Sequence, residues 1–349
     1  MRCIRRHNQI KFLNIVFTGL VFFLLLETRC GSAQGLGHSA FKGSHNSYDK
    51  SVSITSQIDD WNTWFIEIDI CMQNNVLKVK HLCSDSDYGL DNALEQIASA
   101  ASSQERLTFI WFDIKDQTIP VPPFLCQCKF DDDQPYEVID LLVAKLKSYF
   151  GNKLYRASEW RNIDGKVWPS YQELLDRGKR YIAIFDENDA KPVDDYLFMS
   201  EASYADATNT TKHPVQHIGF ISLDSFDMGG VTIDPNDQYL WRRYDLTTSS
   251  EWVSAANLGF NILCTDYIDQ PWSFAHVQAP SPIVVDNNAS TSEYGTFGNP
   301  FHSVSAAVSL EKICPGTRIL IHAGVYDEPP FQITKNLELL AIDGLVEIK

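Results

Sequence analysis

The chain has 349 residues, of which 44% are hydrophobic and 21% are charged, a composition typical of globular proteins and unlike that of disordered ones. Its formal net charge of −16 gives an acidic surface that repels nucleic acids and anionic membranes at long range, so nucleic-acid binding is not expected. A phosphodiester substrate would need positive charge concentrated locally, from a bound metal or from a few Lys and Arg side chains.

The N-terminus has the pattern of a secretory signal peptide. Arg2, Arg5 and Arg6 make its start basic, residues 12–26 form a mostly apolar run, and the small residues 31–33 suit a cleavage site. We expect residues 1–33 to be removed and the protein to be secreted or lumenal in the secretory pathway, with an uncleaved signal anchor as the alternative. The remaining 24 basic and 44 acidic residues would carry a formal charge of −20.

Six cysteines follow the predicted signal, and an even number in an exported chain favours disulfides. Cys71 and Cys83 flank a short hairpin-like segment and form the best candidate pair, whereas the connectivity of the other cysteines stays open. Asn209 and Asn288 each begin an N-glycosylation triplet, which is consistent with export.

Apolar β-forming runs alternate with helical patterns between residues 39 and about 270, which predicts an α/β fold with parallel strands. The main strands are predicted at residues 40–44, 64–70, 107–114, 180–185, 217–223 and 260–265, with a short added strand at 76–80. Helices are predicted at residues 91–101, 138–150, 171–176 and 250–258. A TIM-type (β/α) barrel at residues 34–277 fits best, with one or two strands unrecognised between 186 and 245. An open doubly wound sheet is the alternative, which is disfavoured because no glycine-rich phosphate loop follows a strand.

The composition changes at residues 278–284, which have the Pro- and Ser-rich character of a linker. In residues 285–349 we predict a helix at 304–310, strands at 317–322 and 337–342, and a turn at 324–326. This tail resembles the beginning of a right-handed parallel β-helix of the pectin-lyase type. One or two coils cannot bury a solenoid core, so we expect either a truncated sequence or coils that dock on the barrel.

Two carboxylates share one face of the second predicted strand. Glu67 and Asp69 alternate with Ile66, Ile68 and Ile70, so the acids point to one side and the isoleucines to the other. Buried acids this close cannot both stay ionised without compensation, and oxygen ligands suit a hard cation such as Ca²⁺ or Mg²⁺. The alternative is a pair of solvated acids at the end of a strand.

A further acid and a base end the strand predicted at 107–114. Asp113 and Lys115 continue the face of Phe109 and Trp111, and in a barrel the residues at the carboxyl ends of the strands line the active site. Asp113 is a candidate metal ligand and Lys115 a candidate phosphate-binding residue. A surface ion pair is the alternative.

Two histidines follow predicted strands on either side of the acidic pair. His45 follows the strand at 40–44, and His81 follows the short strand at 76–80. Cleavage of a phosphodiester needs a base for the attacking oxygen and an acid for the leaving oxygen, and histidines supply both roles near neutral pH. A lone histidine after a strand is usually an ordinary loop residue.

The run Gly-Ser-His-Asn-Ser-Tyr at 43–48, followed by Glu67-x-Asp69 and His81, resembles the catalytic X region of phosphatidylinositol-specific phospholipase C. The resemblance implies a catalytic pair, His45 and His81. It also implies that Asn46, Glu67, Asp69 and Asp113 bind a divalent cation, although Asp113 stands where the calcium-dependent enzymes have a Glu. The expected activity is a metal-dependent phosphoric diester hydrolase or lyase that acts on a phospholipid-like phosphodiester.

Residues 112–115, Phe-Asp-Ile-Lys, are similar to a strand of sphingomyelinase D and of glycerophosphodiester phosphodiesterases, and residues 264–267 resemble the end of their last strand. An activity of that type is therefore the first alternative, and a non-catalytic secreted binding or adhesion protein is the second. We expect a monomer that contacts a small phosphodiester or a phospholipid, with transient membrane-surface contact.

Two further segments are weaker candidates. Asp186 and Glu187 follow the strand at 180–185, where they either face the pocket or lie in a solvated loop. Residues 241–244, Trp-Arg-Arg-Tyr, could present cations and aromatic rings to a polar headgroup, but an exposed amphipathic segment is the preferred interpretation.

Overall fold

The computed structural model separates the chain into two compact units, residues 34–279 and residues 1–33 with 280–349. The residues that the structure describes are 11–12, 36, 39–73, 76–79, 89–101, 103, 106–114, 117–121, 124–128, 135–186, 195–201, 218–223, 233, 238–270, 273, 283–289, 293, 295, 300–309, 318–334 and 337–349. Most of the predicted signal peptide, Cys83 and Asn209 lie outside these residues. Among the described residues, no helix combines the length and the apolar character needed to cross a membrane.

The strands, numbered in chain order, are β1 (Lys11–Phe12), β2 (Phe41–Ser44), β3 (Phe65–Gln73), β4 (Val76–Val79), β5 (Thr108–Ile114), β6 (Gln117–Val121), β7 (Phe124–Cys128), β8 (Tyr181–Asp186), β9 (Phe198–Glu201), β10 (Ile218–Leu223), β11 (Leu240–Arg243), β12 (Ile262–Thr265), β13 (Ile283–Val285), β14 (Arg318–Ile321), β15 (Gly324–Tyr326), β16 (Glu338–Ala341) and β17 (Val346–Ile348). The α-helices are α1 (Ile54–Asp59), α2 (Leu90–Ser99), α3 (Pro135–Phe150), α4 (Ala157–Asn162), α5 (Tyr171–Asp176), α6 (Ser249–Asn257) and α7 (Val304–Val308).

Eight parallel strands close into a barrel in the order β2-β3-β5-β8-β9-β10-β11-β12, with β12 pairing back to β2. The predicted TIM-type barrel is therefore confirmed, and the open sheet is excluded. β4 extends β3 as an antiparallel hairpin strand, as the sequence pattern predicted. The two barrel strands that the sequence pattern missed are β9 and β11, and both lie between residues 186 and 245, where one or two unrecognised strands were expected.

Alternation along the strands builds two cores. Outward-facing residues such as Ile66, Ile68 and Ile110 pack against the helices, with Leu94 of α2 and Leu142 of α3 in the same cluster. Inward-facing aromatic and aliphatic residues fill the barrel itself. Some of the helices begin at side-chain caps, for example Ser170 before α5 and Thr248 before α6, each of which accepts a hydrogen bond from a backbone amide.

The unit that contains residues 280–349 is built from short parallel strands. β13, β14 and β16 form one sheet, and β15, β17 and β1 form another. Two sequence expectations are corrected. Residues 324–326, predicted as a turn, are strand β15, which pairs with β17. Ile283 and Val284, assigned to the linker, belong to β13, because Val284 is fully buried and pairs with Leu320. The β-helix assignment stays a prediction.

The expectation that all six cysteines form disulfides is corrected, because Cys264 has a free, buried thiol. Cys71 is disulfide-bonded, but the position of its predicted partner is not described. Asn288 is exposed, as a glycosylation site must be.

Candidate active site

The inner face of the barrel changes character along the strands. Towards the amino ends lies an aromatic layer, the barrel floor, which comprises Phe65, Phe109, Trp111, Phe198 and Phe220. Towards the carboxyl ends of the strands lie charged residues, the barrel mouth, which comprises Glu67, Asp69, Asp113, Asp186 and Arg242. Because side chains two residues apart share a strand face, β3 and β5 each contribute residues to both the floor and the mouth.

Three predicted metal ligands converge in the barrel mouth. Glu67, Asp69 and Asp113 each offer a carboxylate oxygen, and these oxygens lie within 4.8 Å of one another. Asp69 and Asp113 are register partners on β3 and β5, and Glu67 and Asp69 are almost completely buried. The structure thus brings together acids from two separate stretches of sequence, as the strand pattern predicted.

The loop after β2 is tied to the acidic strand by hydrogen bonds. The Glu67 amide donates to Ser47 Oγ at 3.0 Å, and the Tyr48 hydroxyl donates to Asp69 Oδ2 at 2.7 Å. Asn46, the fourth predicted ligand, has a left-handed backbone with φ of 49°, a conformation that Asn tolerates better than most residues. The motif at 43–48 therefore also has a structural role, because its Ser and Tyr position the carboxylates of β3.

His45 is oriented by a carboxylate from the last strand of the barrel. Its Nδ1 lies 3.3 Å from Asp266 Oδ2, and Lys50 forms a second ion pair with Asp266. Burial alone would raise the pKa of Asp266, but the hydrogen bonds from His45 and Lys50 lower it to about 2. Burial alone would lower the pKa of His45, but Asp266 and the charge of Glu67 raise it. This His–Asp pair can accept a proton and stabilise the resulting imidazolium.

Arg242 occupies the barrel mouth as a buried cation. It donates to Glu67, its Nη1 lies 3.3 Å from Ser222 Oγ, and it is 2% exposed. Its guanidinium stacks 4.3 Å from the ring centroid of Trp111 and 4.9 Å from that of Tyr244. The preferred interpretation of residues 241–244 as an exposed amphipathic segment was wrong, because these residues include the inner strand β11, which is buried throughout.

Asp186 adds a fourth carboxylate beside the converging three. It ends β8 as the register partner of Asp113, and it accepts a hydrogen bond from Ser200 on β9. Burial and the nearby charge of Asp113 raise the pKa of Asp186 to about 6. Asp186 therefore faces the barrel mouth, as the first of its two interpretations predicted, and does not lie in a solvated loop.

The acidic cluster fits a hard divalent cation, because it offers only oxygen donors at a spacing that a single ion can span. Arg242 already neutralises part of this charge through Glu67. His81 and Lys115, the second predicted histidine and the predicted phosphate-binding lysine, lie outside the described residues, so their roles stay predictions.

Sequence reasoning gave no role to Ser47, Tyr48, Ser200 or Asp266, and it undervalued Arg242. Asp266 lies in the segment 264–267 that resembles a last barrel strand, so a signal for it existed. Ser47 and Tyr48 lie within the motif at 43–48, whereas no local pattern identifies Ser200 or Arg242, because their contacts lie on other strands.

Comparison with known proteins supports the fold. No protein-family model matches the chain, and no curated protein matches it either. Among solved structures, it is similar to the calcium-dependent phosphoinositol-specific phospholipase C of a Gram-negative Pseudomonas species, with 14% identity and a TM-score of 0.50 over 69% of this chain and 93% of that one.

Weaker similarities are found to two further proteins. A phosphodiesterase of Oleispira antarctica in complex with sn-glycerol-3-phosphate has 11% identity and a TM-score of 0.43, over 66% of this chain and 94% of that one. A glycerophosphodiester phosphodiesterase of Parabacteroides distasonis has 11% identity and a TM-score of 0.39 over the same shares. The described part of residues 34–279 thus has the barrel fold seen in the Pseudomonas phospholipase C.

Proposed function

We propose that this chain is a cation-dependent phosphoric diester hydrolase or lyase of the phospholipase C-like phosphodiesterase superfamily, acting on a phospholipid-like or small phosphodiester. The observation that carries the proposal is one arrangement in the barrel mouth. Three acids within 4.8 Å of one another lie in the same barrel end as the His45–Asp266 pair. The fold shared with the Pseudomonas phospholipase C, itself calcium-dependent by its description, supports the assignment.

The proposed proton transfers rest on His45 and His81. A substrate hydroxyl next to the phosphate attacks phosphorus, and neutral His45 takes its proton while Asp266 stabilises the imidazolium. The bond to the leaving oxygen breaks, and His81, the second histidine of the motif, donates a proton to that oxygen. The products are a cyclic phosphodiester and an alcohol, and water opens the cyclic product if the enzyme completes hydrolysis.

Asn46, Glu67, Asp69 and Asp113 would hold the divalent cation. When bound, the cation offsets charge on the phosphoryl oxygens and lowers the pKa of a coordinated hydroxyl. The residues around the cluster hold it in place: Ser47 and Tyr48 fix β3, while Arg242 holds Glu67. Lys115 would add a contact to the phosphate.

The remaining attributes follow from the sequence alone. The signal-like N-terminus and the even number of cysteines after it support a secreted or lumenal enzyme. The acidic surface argues for transient rather than firm contact with anionic membranes, and nothing in the composition calls for more than a monomer.

A substrate panel tests this proposal. Purified protein is incubated with phosphatidylinositol, a lysophospholipid and a glycerophosphodiester, each in Ca²⁺, Mg²⁺ or chelator, and the products are followed by ³¹P NMR. A cyclic phosphate formed only with cation supports the proposal. Release of glycerol phosphate from the glycerophosphodiester, or of an acylglycerol that keeps its phosphate from the lysophospholipid, favours an enzyme of the glycerophosphodiesterase or sphingomyelinase D type. If folded protein with cation cleaves no diester, the non-catalytic binding protein becomes the better assignment.

A further inference from the structure

Glu67 takes part in two interactions that conflict in charge. One of its oxygens accepts a hydrogen bond from Arg242, and an oxygen of the same side chain belongs to the converging acidic set with Asp69 and Asp113. The Glu67 and Arg242 side chains are 4% and 2% exposed, so solvent screens their attraction little. Any cation among the three acids must share Glu67 with a guanidinium.

Contacts besides Glu67 hold the guanidinium where it is. It stacks against Trp111 and Tyr244 and hydrogen-bonds to Ser222, and it also interacts with the buried thiol of Cys264. Burial alone would lower the pKa of Arg242, but the charge of Glu67 raises it, so the side chain stays charged. Because these contacts do not depend on Glu67, the positive charge remains in the barrel mouth when a cation enters.

We propose that Arg242 is an internal counter-cation that sets the affinity of the acidic cluster for its divalent ion. This inference rests on the proposed cation-dependent function. In the ion-free protein, Arg242 compensates one of three crowded carboxylates and so stabilises the empty cluster. In the ion-bound protein, Arg242 repels the ion and offsets part of the negative charge of Glu67, one of the ligands of the ion. Both effects weaken ion binding, so the cluster is tuned to release its ion more readily than three unopposed acids would.

The test is a calcium titration of the full chain by isothermal calorimetry at pH 8. Arg242→Gln removes the charge but keeps a polar group for Glu67 and Ser222, whereas Arg242→Lys keeps the charge. We expect Arg242→Gln to bind Ca²⁺ at least tenfold more tightly than the wild type, and Arg242→Lys to bind within about threefold of it. Arg177→Met, a half-exposed arginine paired with Asp164 outside the site, is the matched control and should leave the affinity unchanged.

Thermal unfolding gives a second measurement on the same proteins. Without ion, Arg242→Gln should melt at a lower temperature than the wild type, because Glu67 loses its buried partner. Added Ca²⁺ should raise its melting temperature by more than it raises that of the wild type, since tighter ligand binding stabilises the folded state more. Circular dichroism establishes that each variant is folded before titration, and if Arg242→Gln does not fold, Arg242→Met, which also removes the charge, takes its place with the same expected tightening.

The outcomes separate this inference from the proposed function. Unchanged or weaker Ca²⁺ binding in Arg242→Gln, or tenfold tighter binding in Arg242→Lys, would overturn the role of Arg242 while leaving a cation-dependent enzyme intact. Binding by Arg242→Gln alone would support the role of Arg242 but contradict cation dependence of the wild type. Absence of binding in every variant would overturn the inference, and diester turnover in chelator would then show an enzyme that works without the ion.

Discussion

The barrel floor and the barrel mouth share strands β3 and β5, yet one is apolar and the other is charged. On β5, Phe109 and Trp111 belong to a fully buried aromatic cluster in which Phe65, Trp111 and Phe220 pack at centroid distances of 5.5 and 6.4 Å. Two residues after Trp111, Asp113 lies in a group of closely spaced carboxylates. Burial of the floor residues stabilises the folded state, whereas the confinement of like charges in the mouth destabilises it.

The residues that stabilise the barrel and the residues proposed to carry the chemistry therefore occupy different positions along a strand, rather than different secondary-structure elements. Closure of the sheet places the floor under the mouth, so a rigid apolar layer supports the reactive side chains. Substitutions in the mouth should therefore change turnover with little effect on folding, and substitutions in the floor should do the reverse. Four predictions test this division.

The largest effect is expected from His45→Ala in the mouth. Loss of the proposed base should lower kcat by about 10³-fold, equivalent to about 4 kcal/mol, with the melting temperature nearly unchanged. His81→Ala should behave in the same way. The matched control is His322→Ala, since His322 pairs with Asp343 at 2.8 Å in the other unit and should not affect turnover. A large drop in melting temperature for His45→Ala would mark this residue as structural.

Phe109→Ala in the floor should have the opposite signature. Phe109 packs against Phe41, Phe65 and Phe220, and removing its ring should lower the free energy of unfolding by about 3–5 kcal/mol through lost burial and a residual cavity. Urea unfolding measures this loss, and Val167→Ala at a 68% exposed position should cost under about 0.5 kcal/mol. The folded fraction of Phe109→Ala should keep a kcat near the wild-type value. If kcat per folded molecule fell as far as in His45→Ala, floor and mouth would not be separable.

Asp266→Asn should have an intermediate effect and a diagnostic pH profile. Loss of the carboxylate that orients His45 should lower kcat by about 10²-fold, or about 2.7 kcal/mol. Because Asp266 raises the pKa of His45 and the base must be neutral, the acidic limb of the kcat/KM profile should move to lower pH in the variant. Asp343→Asn, the same change in the His322 pair, should leave the profile unchanged. An acidic limb that stayed in place would mean that His45 is not the group being titrated.

Local sequence patterns were sufficient to predict the acidic strand. In residues 66–70, strict alternation of isoleucine and acid identified the two faces of β3, and the structure places the isoleucines in the outer core and the acids in the barrel. Six of the eight barrel strands were recognised from continuous or alternating apolar, β-forming residues. A strand that is buried on both faces can be recognised from its apolar, β-forming residues.

The sequence could not predict the contacts that form between residues far apart in the chain when the barrel closes. β9 and β11 have four residues each and include Ser200, Arg242 and Arg243, so no apolar run identifies them. Arg242 is buried only because the closed barrel places it against Glu67, 175 positions earlier, and Asp266 reaches His45 across 221 positions. Charge compensation of this kind depends on tertiary contacts, which residue type and spacing do not encode.

The smallest predicted effect concerns the place where the floor meets the catalytic motif. Gly43 precedes His45 by two residues on the inner face of β2, and a Cβ atom there would lie 2.3 Å from Cys264 Sγ and 3.2 Å from Phe65 Cβ. Gly43→Ala should therefore lower the free energy of unfolding by about 1–3 kcal/mol through overpacking. Removal of the thiol in Cys264→Ala creates space at that point, so the double variant should be more stable than the sum of the two single changes implies, by at least about 0.5 kcal/mol. Urea unfolding of the four proteins measures this coupling, and simple additivity would mean that the glycine is required for a reason other than contact with Cys264.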